Sequence, residues 1–423
     1  MQTVCLQKGD DMRTIGMIVA VLVMQFAYAA DAWKLEKKLE VGRAVLGSVY
    51  YLPKTSSGIR KNNILYVAYE SSSMSAWDWD EGEKIWNVRI ENIADGFTYN
   101  AGTIFVGHGA MNDSDGGIFA IDAITGEVRW QKETEGKIVS PPTIFEKEEI
   151  MYTVFGFPGE PGHHVSPHNF KASYLISGGY DNELSGYTAM TGEKLWTVES
   201  NQPFHASPVV AGNMVYTAGC DGMLRQTDAV TGEEKGEIVV GGNISAAPAV
   251  FIMENVLKAV TVDVANLSYT RQVLIPSVVL AVAVDTQGNV TAVKAGDNLD
   301  IKWQIALPDN PRVSINPTFA LPYVIITDDS GTIYALKYED GSIAWTFEAG
   351  SSPASVLALN DELIACGGKK VYALNKMTGE RLWSYELGSN ASGKPVEVNV
   401  EDGTGTKRFI VSCWDGGVYL FSK

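Results

Sequence analysis

The stretch Ala120-Ile-Asp-Ala-Ile-Thr-Gly-Glu-Val-Arg-Trp130 returns along the chain with its Thr-Gly-Glu core and its closing tryptophan in the same phase. Seven clear or degenerate copies end at positions 86, 130, 196, 236, 303, 345 and 383. The copy that ends at Gly236 is the one without the closing tryptophan. A period near 40 residues, interrupted by two insertions of about 25 residues, therefore runs through the chain.

Each repeat has turn residues and β-branched runs in the order expected of a four-stranded antiparallel sheet. A small residue and a proline open it, as in Ser207-Pro208, and a β-branched run follows, as in Val324-Ile-Ile-Thr327. A turn rich in Asp and Gly, such as Asp221-Gly222, precedes the next alternating strand, and Thr-Gly-Glu supplies a second hairpin turn. Four short strands in about 40 residues predict a propeller blade, because each small sheet must cover its faces with its neighbours.

The two ends of the chain complete the blade count. Residues 409–421 supply two strands of a unit and then stop, whereas residues 32–40 resemble a free outer strand that carries Trp33. Joining these ends removes the exposed edges of an open ring. We therefore predict an all-β, eight-bladed β-propeller in which the N-terminal strand pairs with the C-terminal blade. This single domain, residues 30–423 with insertions near 155–171 and 252–278, leaves no room for a separate catalytic domain.

The N-terminus has the features of an export signal. Arg13 precedes an uncharged apolar run over residues 15–30, which closes on Ala27-Tyr28-Ala29. The run is shorter than the roughly 20 residues of a membrane span, so cleavage of a signal peptide over residues 1–29, starting at Met12, is favoured over anchoring. No cysteine follows at the cleavage point, so no lipid anchor is expected. We expect a periplasmic, extracellular or cell-surface protein.

Composition excludes several classes of function. The chain has 50 acidic and 33 basic side chains and a formal net charge of −17, which argues against nucleic acid as a partner. Its 45% apolar content excludes bulk disorder. No CxxC pair is present, and Cys220, Cys366 and Cys413 share one repeat position, which favours buried small residues over reactive thiols.

The repeated phrase resembles the tryptophan-docking motif of the pyrroloquinoline-quinone (PQQ) propeller superfamily, over essentially the whole exported chain. In that superfamily the tryptophan of one blade stacks on the Thr-Gly peptide of the next. The resemblance thus implies a structural docking role for seven residues: Trp33, Trp86, Trp130, Trp196, Trp303, Trp345 and Trp383.

The superfamily contains quinoprotein dehydrogenases and non-catalytic members such as the barrel-assembly protein BamB, which this chain resembles in repeat and ring size. A disulfide-forming Cys-Cys pair and a haem Cys-x-x-Cys-His motif are both missing from the sequence. We therefore predict a non-catalytic, monomeric docking scaffold with envelope or surface proteins as partners, no cofactor and no membrane span after signal cleavage. The alternatives are a PQQ- and calcium-dependent oxidoreductase and a propeller that binds surface glycans or other ligands.

The first insertion holds the one concentrated set of candidate metal ligands. His163, His164 and His168 lie on a Pro/Gly-rich stretch together with Glu160. Imidazole nitrogen suits zinc, copper or nickel. A solvated histidine-rich surface loop is the alternative, because such a stretch does not fix its ligands as a helix does.

Four further features leave two interpretations open. Residues 113–115, Asp-Ser-Asp, resemble a calcium loop but also satisfy hairpin geometry, and His108 occupies a phase that could face a central channel. Trp77 and Trp79 could anchor a partner or pack between blades. The β-branched second insertion is expected to extend the core, with a protruding arm as the alternative.

Overall fold

The computed structural model describes residues 32–55, 61–70, 72–109, 116–155, 164–264, 267–296, 298–351, 353, 356–399 and 405–423. Residues 149–155, 164–169, 256–264 and 267–277 are described by their backbone alone. The predicted signal, residues 1–29, lies outside the described residues. Within the described ranges all regular secondary structure is strand, so they hold no helix of the length and apolarity that crossing a membrane requires.

Thirty-two strands occur in the described part of the chain. The first sixteen are β1 (Lys34–Glu40), β2 (Tyr50–Leu52), β3 (Ile64–Tyr69), β4 (Ser73–Asp78), β5 (Glu83–Arg89), β6 (Thr98–Asn100), β7 (Thr103–Gly109), β8 (Gly116–Asp122), β9 (Val128–Thr134), β10 (Thr143–Phe155), β11 (His164–Gly178), β12 (Glu183–Thr188), β13 (Lys194–Glu199), β14 (Val209–Ala211), β15 (Met214–Ala218) and β16 (Met223–Asp228). The others are β17 (Glu234–Val239), β18 (Ala249–Val264), β19 (Leu267–Val284), β20 (Asn289–Ala295), β21 (Leu299–Ala306), β22 (Thr318–Ala320), β23 (Tyr323–Thr327), β24 (Thr332–Lys337), β25 (Ile343–Glu348), β26 (Leu357–Ala358), β27 (Glu362–Gly367), β28 (Lys370–Asn375), β29 (Arg381–Glu386), β30 (Val396–Glu397), β31 (Arg408–Ser412) and β32 (Gly417–Ser422).

These strands form eight four-stranded antiparallel sheets, one for each blade. Blades 1 to 7 each use four consecutive strands, beginning with β2–β5 and ending with β26–β29. Blade 8 has the order β30, β31, β32 and then β1, which pairs with β32 from Lys34 opposite Ser422 to Glu40 opposite Gly417. The predicted eight-bladed propeller and its closure by the N-terminal strand are therefore confirmed.

Tryptophans join the outer strands of neighbouring blades. The Trp86 ring of blade 1 covers Gly126 of blade 2, and a Cβ atom on Gly126 would lie 2.7 Å from that ring. Its Nε1–H donates to the carbonyl oxygen of Ala123 at 3.1 Å, in the same turn. The same ring-on-glycine contact occurs for four other pairs: Trp130 on Gly192, Trp196 on Gly232, Trp303 on Gly341 and Trp345 on Gly379.

Blade 8 departs from this arrangement because its outer strand comes from the other end of the chain. In the other blades that have one, the docking tryptophan of the outer strand pairs with a fixed position of the third strand, which in blade 8 is Leu420. Lys37 is the residue opposite Leu420, and its ammonium group donates to the carbonyl oxygen of Trp79 in blade 1. Trp33 lies elsewhere, 3% exposed, with its ring 4.6 Å from Phe409. The docking role expected of Trp33 therefore does not fit its position, because Trp33 precedes Lys34, the first residue of β1 that pairs with β32.

Two other interfaces depart from the tryptophan-on-glycine pattern. Blade 8 has no Thr-Gly turn, and the Trp383 ring instead meets Phe421 edge-on with ring centroids 5.3 Å apart. Gly236 in blade 4 faces the Leu299 side chain of blade 5, and that interface is filled by aliphatic side chains that include Ile238. Aliphatic packing thus replaces the missing tryptophan.

Hydroxyl groups join the blades near the ring axis. Thr98 of blade 2 donates to the carbonyl oxygen of Pro142, and Thr143 of blade 3 donates to that of Pro208. Thr318 of blade 6 makes the same kind of bond to Val356 at 3.4 Å. Each bond links the first strand of one blade to the segment that leads into or forms the next, so the ring is held at both its rim and its axis.

Buried side chains fill the interfaces between blades. Trp79 is 3% exposed and packs with Leu39 and Val418 of blade 8, while the Trp77 Nε1–H donates to the Tyr69 hydroxyl at 2.7 Å. The two tryptophans therefore pack between blades, as one of their two interpretations expected. Cys366 and Cys413 are free thiols buried in the cluster between blades 7 and 8, while Cys220 is half-buried.

Replacing Gly126 tests the tryptophan contact. Gly126→Ala should lower the free energy of unfolding by about 2–4 kcal/mol, because alanine is strained at φ +76° and its methyl group overlaps the Trp86 ring. Gly102→Ala is the control, since Gly102 lies in the same blade at φ +82° with nothing within 4 Å of a Cβ atom. It should cost only about 1–2 kcal/mol. Equal losses in urea unfolding would contradict the docking contact.

Glu362 connects the two chain ends to blade 7. Its carboxylate accepts from Trp33 Nε1 at 2.7 Å and from Lys423 Nζ at 2.6 Å. Glu362→Ala should therefore destabilise the ring by about 1–3 kcal/mol, because the buried indole N–H loses its acceptor. Glu91→Ala, which removes a solvent-exposed pair with Arg89, should cost at most about 1 kcal/mol. Matching thermal unfolding curves for the two variants would show that Glu362 does not hold the closure.

Candidate functional site

Two blades carry first hairpins that continue beyond their sheets. The first strand has two or three residues in blades 1, 2, 4, 6, 7 and 8, but thirteen in β10 and sixteen in β18. Strand β11 pairs with β12 only from residue 174, so residues 164–173 extend past blade 3 by about 33 Å. Residues 267–278 of β19 likewise extend past blade 5 by about 40 Å. We call these hairpins arm 3 and arm 5.

Both arms leave the ring on the same face. In an antiparallel blade the turn between the first two strands and the turn between the last two lie at the same end. On this face the turns between third and fourth strands expose Ile124, Met190 and Met377 at 75%, 87% and 50%. Ile124 and Met190 belong to blades 2 and 3, so exposed apolar side chains accompany arm 3.

The predicted metal ligands fall partly on arm 3. His164 and His168 lie on β11, opposite Phe155 and Met151 of β10, and not on the loop that the sequence suggested. As residues i and i+4 of a strand they share one face of the hairpin. Their side chains are not described, and His163 lies outside the described residues, as do Asp113 and Asp115. Metal binding by this histidine set stays a prediction.

A second candidate site is a funnel of about 470 Å³ at the ring axis. It is lined by the segments that precede the first strand of every blade. Hydroxyl groups of Ser140, Ser207 and Ser245 line it together with two charged residues, Asp95 and Lys394. The Ser245 hydroxyl is buried without a hydrogen-bond partner in the described structure. The funnel is therefore a polar cavity to which all eight blades contribute.

The two charged side chains of the funnel are exposed to water and unpaired. Water reaches both side chains, yet the surrounding protein raises the pKa of Asp95 and lowers the pKa of Lys394, in each case through burial. Among the described residues neither charged group has an ion-pair or hydrogen-bond partner. Unpaired charges in a cleft are typical of a binding site.

Sequence reasoning missed both charges. Lys394 precedes Pro395, at the position where other repeats have a small residue before proline, so this substitution was a usable signal. Asp95 belongs to a repeat without that proline, and nothing in its sequence context marks it. His108, in contrast, is not part of the funnel lining: its ring packs 4.9 Å from Phe119, and burial lowers its pKa.

The funnel residues do not fit PQQ with calcium. Calcium takes six to eight oxygen ligands, commonly from several carboxylates. The funnel offers the single carboxylate of Asp95, and the described residues contain no group of three or more His, Cys, Asp or Glu side chains placed to hold a metal. PQQ carries three carboxylates, against which the lining places one ammonium group, that of Lys394.

Comparison with known proteins agrees with the repeat and the ring. A family model described as outer membrane protein assembly factor BamB matches residues 70–156, 157–274 and 276–413. The chain belongs to this PQQ-like family. A comparison with curated proteins gives no significant match.

Several solved propellers are similar in fold to this BamB-family chain. BamB from Moraxella catarrhalis has a TM-score of 0.60 at 13% identity, over 92% of this chain and 97% of that one. The quinohemoprotein alcohol dehydrogenase from Comamonas testosteroni has a TM-score of 0.63 at 13% identity, over 93% and 77%. The computationally designed Ika8 protein has a TM-score of 0.61 at 12% identity, over 92% and 98%. At such identities the similarity shows the fold alone.

The charge of Asp95 should oppose folding. Because burial raises its pKa, the folded protein binds this proton more tightly than the unfolded chain does. Asp95→Asn should therefore raise Tm at pH 7, and the gain should shrink as the pH falls into the ordinary carboxyl range near about 4, because the folded and the unfolded chain then both bind the proton.

Asp328 provides the opposite case. Burial alone would raise its pKa, but hydrogen bonds from Ser330, Thr332 and Tyr334 lower it overall. Its charge therefore stabilises the fold above about pH 4, and this contribution is lost as the pH falls through the lowered pKa. Asp328→Asn should lower Tm at pH 7. Thermal unfolding from pH 4 to 8 that gives both variants the same sign would contradict this assignment.

Proposed function

We propose that this protein is an exported, non-catalytic propeller that docks other proteins of the cell envelope through arm 3 and arm 5. The observation that supports this function is the length of the two arms beyond their blades, ten residues in arm 3 and twelve in arm 5. Beyond the blade, a two-stranded hairpin leaves backbone N–H and C=O groups on both of its edges. Such edges accept a strand from a partner protein.

The sequence of arm 5 gives its two faces different character. Side chains alternate between the two faces of a strand, so the register places five cross-strand pairs on one face of the hairpin. These pairs are residue 256 with 275, 258 with 273, 260 with 271, 262 with 269, and 264 with 267. Eight of these ten positions are Val, Ile, Leu or Tyr, and the exceptions are Lys258 and Arg271. The opposite face includes Thr261, Asp263 and Gln272. An apolar face on a hairpin that extends past its own sheet supports a protein partner over a free solvent-exposed arm.

Location and charge support the same proposal. The signal expected over residues 1–29 would carry the ring out of the cytoplasm. A formal charge of −17 repels anionic surfaces such as lipid headgroups and polyanions. Docking therefore rests on the apolar and backbone groups of the arms, and not on attraction to a charged surface.

Shortening the arms tests this function. Arm 5 is shortened by joining Glu254 to Val278, and arm 3 by joining Lys147 to Ala172, each through an Asn-Gly turn, because these residues face each other across the two strands. We expect the tagged native protein to retain specific envelope proteins that the double-shortened variant loses. Thermal unfolding should stay close to native, because the blade ladders remain. The native chain recovered from the envelope should begin at Ala30.

A surface variant on the opposite face is the matched control. Trp414 is 41% exposed in the turn between β31 and β32, at the end of blade 8 away from the arms. Trp414→Ala should leave partner retention unchanged. Retention that survives loss of both arms, or that is lost in Trp414→Ala, would contradict docking through the arms.

A further inference from the structure

A pocket of about 670 Å³ lies over blade 5 on the face opposite the arms. Six side chains line it: Asn243, Thr286, Gln287, Asn289, Asn310 and Arg312. They come from three neighbouring segments, namely the connection that enters blade 5, the turn between β19 and β20 with the first residue of β20, and the connection that leaves blade 5. The volume lies within the range of small-molecule sites, but the lining is polar where such sites are mostly apolar.

The connection that leaves blade 5 is longer than its counterparts. It has eleven residues, 307–317, whereas the corresponding connections between the other blades have eight or nine. Asp309 and Asn310 within it have φ values of +63° and +46°, the one pair of consecutive non-glycine residues at positive φ in the described structure. Backbone strain of this kind collects at ligand sites. The extra length places Asn310 in the pocket wall.

A buried carboxylate fixes the floor of the pocket. Asp285 is 2% exposed and accepts hydrogen bonds from the backbone N–H groups of Gly242, Gln287 and Asn289, at 2.9–3.0 Å. It also accepts from the Asn289 side-chain amide at 2.8 Å. Burial alone would raise the pKa of Asp285, but these hydrogen bonds lower it overall, so the carboxylate is ionised at neutral pH. Its bonds orient the Asn289 amide in advance of any ligand.

The lining is close to neutral. Arg312 Nε lies 3.2 Å from Asp329 Oδ2, so its charge is balanced. The other five side chains are amides and one hydroxyl, each of which both donates and accepts hydrogen bonds. The six lining residues include no carboxylate, thiol or imidazole that could act as acid, base or nucleophile. These groups match the hydroxyls of a neutral polyol better than an ion or an apolar molecule.

We propose that this pocket binds a neutral saccharide unit. The Asn243 and Asn310 amides lie on the two connections that flank blade 5, and the Gln287 and fixed Asn289 amides lie at the β19–β20 turn, so the four amides can meet hydroxyl groups on different edges of a sugar ring. Binding leaves the sugar unchanged. The pocket is on the face opposite the arms, so the ring can hold a glycan and a protein partner at the same time. The proposal does not depend on docking through the arms.

Titration of the full chain with three neutral disaccharides tests the site. Maltose, cellobiose and N,N′-diacetylchitobiose serve as probes, followed by saturation-transfer NMR and calorimetry, with glucuronate as the acidic comparison. We expect at least one neutral probe to bind with millimolar affinity or better. The double variant Gln287→Ala/Asn310→Gly should weaken that binding about ten-fold, because two hydrogen-bonding amides are lost while glycine keeps the positive φ.

The matched control removes the same two side-chain types outside the pocket. Gln202 is exposed, and Asn182 has φ +65°, so Gln202→Ala/Asn182→Gly changes the same chemistry at an equivalent backbone conformation. This variant should bind as the native protein does. Absence of binding by all three neutral probes, stronger binding of glucuronate, or native affinity in Gln287→Ala/Asn310→Gly would each overturn the proposal.

Discussion

The contact between a tryptophan ring and the glycine turn of the next blade is the interaction on which the ring depends. Trp86 on Gly126 shows why both residue types are needed, because the ring occupies the space that any Cβ atom would take. Burial of an aromatic side chain contributes on the order of 3 kcal/mol, and the indole N–H adds a hydrogen bond to the same turn. Each contact joins two sheets, so the sheets cannot be displaced independently.

The exceptions show what this constraint requires. Where Gly236 replaces tryptophan, Leu299 and Ile238 fill the interface, and at the ring closure Lys37 donates to the turn carbonyl of Trp79. Each interface must therefore be filled by side chains, and a carbonyl oxygen in the turn of the next blade commonly accepts a hydrogen bond across it. Tryptophan is the residue that most often meets both requirements in this ring. Blade 5, which bears both an arm and the polar pocket, adjoins one of the two interfaces that have no docking tryptophan.

The repeat was sufficient to predict the ring but not its sites. A motif that recurs at the same position of each repeat indicates a contact that successive blades make in the same way. The number of blades and the closure of the ring could therefore be predicted from the sequence. Trp33 was misplaced because the closing strand is outside the repeat and its register depends on the partner strand β32. Asp95 and Lys394 meet only around the axis, and Asn243 and Asn310 only across blade 5, so distances along the chain could not bring them together.

The closure of the ring has a consequence for the order in which the chain acquires structure. Among the described strands, β1 is synthesised first and its partner β32 last, with nearly the whole propeller between them. Until β32 is available, β1 has no strand to pair with, blade 8 is incomplete, and blades 1 and 7 each lack a complete neighbour. Contacts between such distant residues form slowly, because the entropy of closing the long loop opposes them. Strand β1 therefore stays unpaired until β32 has been synthesised, and a chain truncated before β32 lacks the strand that joins the two ends of the ring.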